Sequence, residues 1–138
     1  MSLDPTAGRR WPLAGGDAPV EIKAAAGLLV GGGALFVITD LVLAAVEEDT
    51  SALLLVPLLQ LGIGIGIAGG LLRGSRIARY AGLLFALTFA LLHMLFALQG
   101  VALWIRIVTG VIAASQVYVA VLLNTRPALL HTGGRVRR

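Results

Sequence analysis

Four polar side chains interrupt the long apolar stretches of this chain, and their chemistry makes them the first candidates for function. They are Asp40, Gln60, His93 and Arg106. An ionisable or strongly polar group inside hydrocarbon is costly unless it is paired or hydrated, so such groups are rare and tend to mark sites. A carboxylate, an amide, an imidazole and a guanidinium together could bind an ion, a proton or a lipid head group.

A second candidate motif lies in the stretch LGIGIGIAGGLLRG, where Gly64, Gly66 and Gly69 match the G-x-G-x-x-G spacing of dinucleotide-binding loops. Such a loop requires a preceding strand and an acidic residue about 20 positions further on. The segment LTFALLHM at that distance contains no acid. The glycines that recur every fourth residue instead predict a helix-packing stripe, either within one bundle or against a second subunit: Gly62, Gly66, Gly70 and Gly74.

Other chemistry is not indicated by the residue inventory. The chain has no cysteine and two histidines, one of which is His131 near the C-terminus. We find no H-x-x-x-H pair and no serine–histidine–acid set, so we expect no metal site, no cofactor and no enzymatic activity. The net charge of +4 is carried by loops and tails, which argues against a nucleic-acid partner.

The elements that position these residues follow from hydropathy. Only 13% of the residues are charged and the mean hydropathy is +0.93, whereas soluble domains carry about 25% charged residues. Crossing a bilayer takes about 20 apolar residues, and four segments of this length predict an all-α integral membrane protein. We expect an antiparallel, up-down-up-down bundle of four transmembrane helices with short loops, spanning residues 20–125 between a flexible tail (1–19) and a basic tail (126–138). The predicted spans are 24–46, 52–72, 80–98 and 101–123.

Charge predicts the orientation of this bundle. Ten of the 11 basic residues fall on the side of the two termini if the chain crosses four times, whereas Glu47, Glu48 and Asp49 fall on the other side. Because cytoplasmic segments are enriched in Lys and Arg, both termini are predicted to be cytoplasmic. The Arg-, Ala- and Gly-rich composition resembles that of small membrane proteins of high-GC bacteria, so we expect the bacterial inner membrane.

The four polar residues then lie in the outer half of the membrane. Asp40 is six residues before the outer end of its segment, about 9 Å deep at 1.5 Å per residue, and Arg106 and His93 lie at similar depth. Three arrangements remain open. The four residues form an outward-facing pocket, or an Asp40–Arg106 ion pair locks the first helix to the fourth, or Arg106 extends to the interface beside Trp104.

These features predict a small non-enzymatic protein, either an accessory or an oligomer-forming subunit of a membrane complex. Its expected partners are membrane lipids and further copies of itself or other membrane subunits. The alternative is a small transporter or channel that uses the outward-facing polar cluster.

Overall fold

The fold is all-helical, with four helices long and apolar enough to cross a membrane. The computed structural model describes residues 17–46, 54–99 and 102–133. The long helices are α1 (Val20–Val46), α2 (Leu55–Leu72), α3 (Arg76–Leu98) and α4 (Leu103–Leu123), followed by a short α5 (Arg126–His131). The predicted acidic turn, the first 16 residues and the last five lie outside the described residues.

The first turn of α3 starts earlier than its hydropathy predicts. Ser75 adopts an extended conformation and its Oγ accepts a hydrogen bond from the backbone N–H of Ala78, 3.3 Å away. A serine in this position satisfies one of the free N–H groups at a helix start and fixes where the helix begins. The arginines that we assigned to a loop, Arg76 and Arg79, therefore belong to the first turn of α3.

The largest core cluster joins the start of α1, the end of α2, the start of α3 and the end of α4. Its most buried members include Ile22, Leu71, Ala86 and Leu123, all with no exposed surface. Helix α5 covers this end, which we call the α5 end, and buries Ala128 completely. The segment predicted as a basic tail thus contributes a helix to the core.

Glycines let α1 approach its neighbours closely. A Cβ on Gly33 would lie 3.0 Å from Leu61 Cα, and one on Gly64 would lie 3.2 Å from the carbonyl oxygen of Leu29. As α1 runs from Leu29 to Gly33, its contacts on α2 therefore run back from Gly64 to Leu61. Backbones this close leave no room for a side chain at these two glycines.

The predicted glycine stripe is not one packing face within the chain. Gly62 and Gly66 are exposed, and a Cβ on either would meet no described atom within 4 Å. Gly70 packs against Ala78 of the next helix, and Gly74 forms the α2–α3 turn with a φ of 74°. The contact with α1 is made by Gly64, which is two residues off the stripe and faces the opposite side of α2. Packing of Gly62 and Gly66 against a second subunit stays a prediction.

Candidate functional site

Arg106 and Asp40 do not form the ion pair that we considered. Arg106 is exposed, and its Nε donates a hydrogen bond to the carbonyl oxygen of Ala97, 3.0 Å away. Within the described residues, the one ion pair joins Lys23 and Asp17. The last carbonyls of a helix lack intrahelical partners and attract cations, so Arg106 serves as a cap on the end of α3.

Asp40 is less buried than Gln60 and His93. It is half-buried on α1, while the adjacent Thr39 is buried and its hydroxyl donates to the carbonyl oxygen of Leu35 at 2.8 Å. The described part of the chain gives the Asp40 carboxylate no hydrogen-bond donor. No ion pair or hydrogen bond among the described residues joins Asp40 to Gln60, His93 or Arg106, and the four-residue outward-facing pocket stays a prediction.

Gln60 and His93 point instead into the bundle interior, where they are 1% and 0% exposed. His93 Nδ1 lies 2.7 Å from the carbonyl oxygen of Phe89. Because a carbonyl can only accept, Nδ1 carries the proton, and Nε2 of a neutral ring is then an acceptor. Nε2 has no partner. The ring itself packs edge-on against Phe36 of α1, with centroids 4.8 Å apart.

Gln116 of α4 is the interior residue that our sequence analysis missed. It is fully buried, and both polar atoms of its amide lack a partner. A Cβ on Gly32 would lie only 3.0 Å from Gln116 Nε2. Because Gly32 has no side chain, the amide can occupy this space. The pattern that reveals Gln116 is a stripe at alternating spacings of three and four residues, all buried: Thr109, Ile112, Gln116, Val119 and Leu123.

The face of α4 that contains Arg106 points away from the bundle interior. Gly110 and Ala114 follow Arg106 at four-residue spacing, a small-residue pattern that favours packing against a neighbouring helix. Arg106 and Ala114 are exposed, and a Cβ on Gly110 would meet no described atom within 4 Å. Gln116 occupies the inward face instead.

Gln60, His93 and Gln116 together form what we call the interior polar set, one residue from each of α2, α3 and α4. It contains five buried polar atoms without a partner: both amide atoms of each glutamine and His93 Nε2. Leaving such a group unsatisfied costs about 1–3 kcal/mol. Water or a small polar ligand between the helices would satisfy both donors and acceptors. The described residues contain no cluster of three His, Cys, Asp or Glu side chains that could hold a metal ion.

The three residues lie at two levels of the bundle. Gln60 is five residues after the start of α2, His93 five residues before the end of α3, and Gln116 seven residues before the end of α4. At 1.5 Å per residue, Gln60 and His93 are both about 8 Å from the helix ends remote from α5, whereas Gln116 is about 10 Å from the α5 end. The interior polar set therefore has two residues at one level and the third further toward the α5 end.

Comparison of the chain with protein-family models, with curated proteins and with solved structures gives no match.

Proposed function

We propose that this protein is a multi-pass protein of the bacterial cytoplasmic membrane that acts as an oligomer-forming or accessory subunit and has no enzymatic activity. Its long helices insert as an antiparallel bundle with both termini in the cytoplasm. Contacts further along α1 fall on earlier residues of α2, and this reversal supports the antiparallel arrangement. The orientation is supported by the basic residues of the α5 end: Lys23, Arg73, Arg76, Arg79 and Arg126.

The observation that carries the proposal is the outward glycine stripe of α2. A Cβ on Gly62, Gly66 or Gly69 would meet no described atom within 4 Å. Each glycine inside a helix costs about 0.8–1.0 kcal/mol relative to alanine, and here no close contact within the chain offsets that cost. A stripe of small residues lets a second helix approach closely enough for extensive van der Waals packing, which drives helix association in lipid. A second copy of the chain is the partner that requires no further component.

Leucine substitutions separate this role from packing within the chain. Gly66→Leu should lower the particle mass in mild detergent without unfolding the monomer, because the added side chain projects outward. Gly64→Leu should instead destabilise the monomer, because it points at the backbone of α1. Gly110→Leu is the matched control, since Gly110 is equally open but lies on α4. A Gly66→Leu variant with wild-type particle mass, measured by native mass spectrometry, would refute self-association through this stripe.

The orientation has its own test, since the chain contains no cysteine. Cysteines introduced at Ser51 and Ser75 can be labelled in intact cells with a membrane-impermeant reagent. Labelling at position 51 and protection at position 75 is expected. The reverse pattern would place the termini outside.

A small transporter or channel is the second candidate, and the interior polar set favours it. Unpartnered amides and an imidazole acceptor along the bundle interior could hold water or pass a proton. The polar residues that carry this function would be Gln60, His93 and Gln116, in place of the outward-facing cluster with Asp40 and Arg106. Proton flux into liposomes should then fall in Gln116→Leu, while the exposed Gln99→Leu retains it. Wild-type flux no higher than that of empty liposomes would exclude proton conduction.

A further inference from the structure

Arg79 is a buried cation without an anionic partner among the described residues. It is 5% exposed, and its Nε has no hydrogen-bond partner. The ring of Tyr80 covers the guanidinium, with the central carbon 4.4 Å from the ring centroid. No described carboxylate forms an ion pair with it. A buried charge is costly unless it is paired, so the surroundings of Arg79 favour binding of an anion.

An apolar groove lies along the face of α3 that contains Arg79, and its first α3 residue, Leu83, is one helical turn after this cation. It lies between α3 and α4 and has a volume of about 530 Å³. Its α3 wall is formed by Leu83 and Leu87, which lie one and two helical turns after Arg79 on the same face. The α4 wall is apolar up to the end of the helix at Leu123, and the two polar residues that follow the helix complete it. The residues of that wall are Val117, Ala120, Val121, Asn124 and Thr125.

The polar residues at this end of the groove already use their hydrogen donors within α4. Asn124 Nδ2 donates to the carbonyl oxygen of Ala120 at 2.9 Å, and Thr125 Oγ1 donates to that of Leu122 at 2.7 Å. Arg79, in contrast, has a buried donor, Nε, without a partner among the described residues. The surrounding charge is also basic, since Arg76 and Arg126 lie exposed at the same end.

We propose that this groove binds an anionic glycerophospholipid, with the phosphodiester at Arg79 and one acyl chain along the apolar walls. An apolar groove with a cation one helical turn beyond its end complements an amphiphile with an anionic head. Anionic lipids are enriched in the cytoplasmic leaflet, where the α5 end lies in the proposed orientation. The inference rests on the proposed membrane placement and is independent of self-association.

Native mass spectrometry of the detergent-purified protein tests the head group. The probes are phosphatidylglycerol and phosphatidylcholine with the same acyl chains, and the expected result is at least about tenfold tighter binding of phosphatidylglycerol, equivalent to about 1.4 kcal/mol. Arg79→Gln should abolish this preference. Arg73→Gln, an exposed arginine in the preceding turn, is the matched control and should retain it. Equal affinity of the wild type for both lipids, or an equal loss in both variants, would overturn the site.

A second pair of variants tests the acyl chain and also covers the case in which Arg79→Gln does not fold. Val117→Trp fills the groove and should weaken binding of phosphatidylglycerol about tenfold, whereas Val111→Trp, on the same helix outside the groove, should not. Unchanged binding in Val117→Trp would refute the proposal.

Inorganic phosphate distinguishes a lipid from a free anion. We expect millimolar phosphate to leave bound phosphatidylglycerol in place, because it lacks the acyl chain. Displacement of the lipid by phosphate would instead assign Arg79 to a free phosphate. Release of the protein from membranes by alkaline carbonate would overturn the membrane placement and the lipid site together, whereas retention confines any failure to the lipid site.

Discussion

Replacing Gln116 with leucine should stabilise the folded protein. Both amide atoms of Gln116 are buried without a partner, and the side chain ends beside Gly32, where a Cβ would come within 3.0 Å of Nε2. Leucine is shorter and branched but apolar, and the missing Cβ of Gly32 leaves room for its methyl groups. The substitution therefore removes two unsatisfied polar atoms without adding a steric conflict.

The expected gain follows from the cost of those atoms. An unsatisfied buried donor or acceptor costs about 1–3 kcal/mol, and in a membrane the unfolded reference state also finds partners, which reduces the difference. Loss of packing around the shorter side chain opposes the gain by about 1 kcal/mol. We therefore expect a net increase of about 1 kcal/mol in the free energy of unfolding.

Equilibrium unfolding in mixed detergent micelles measures this change. Gln60→Leu should behave in the same way, since both of its amide atoms also lack partners. Gln99→Leu is the control, because Gln99 is exposed at the end of α3 and should change stability by less than about 0.5 kcal/mol. A loss of more than about 1 kcal/mol in Gln116→Leu would show that the amide has partners, and the reasoning would fail.

Three further outcomes follow from the packing. Gly64→Ala should destabilise the folded monomer by about 1–3 kcal/mol, since its Cβ would lie 3.2 Å from a backbone oxygen of α1. Gly62→Ala should instead stabilise the monomer by up to about 1 kcal/mol. Thermal unfolding of the monomer compares the two variants. Asp40→Asn and Arg106→Gln should be additive in a double-mutant cycle, because the residues do not meet; recovery in the double variant would contradict this. Gly74→Ala should expose α5 to limited proteolysis, because φ is 74° and a carbonyl of α5 lies 2.9 Å from the Cβ position; wild-type resistance would contradict that account.

The number and approximate length of the four long helices could be predicted because the bilayer sets both. Crossing it takes about 20 apolar residues, and the helices found at Leu55–Leu72 and Leu103–Leu123 differ from the predicted spans only at their first residues. The start of α3 was harder to place, since Arg76 and Arg79 lower the local hydropathy. The deciding signal there was a capping serine, Ser75, which hydropathy ignores.

Which face of each helix points inward could not be read from hydropathy. A membrane helix meets apolar groups on both sides, so its pattern contains no contrast between core and lipid. Gly64 and Gly66 illustrate the problem, because both are flanked by isoleucine in the repeat IGIGI. A Cβ on Gly64 would meet α1, whereas a Cβ on Gly66 would meet no described atom within 4 Å. Only the position of α1 distinguishes the two glycines.

The buried polar residues fall into two groups, depending on whether their own helix supplies a hydrogen-bond partner for the side chain. Thr39 and Thr109 are buried like the glutamines, but their hydroxyls donate to carbonyls of the preceding turn at 2.8 Å. Burying these hydroxyls therefore costs little folding free energy. A glutamine amide in the interior must find its partners on another helix or in a bound molecule. Because Gln60 and Gln116 find none among the described residues, they are the positions where a ligand or water would contribute most to the stability of the bundle. The two charged candidates differ from the glutamines: the half-buried Asp40 can be hydrated, and Arg106 donates to a carbonyl at the end of α3.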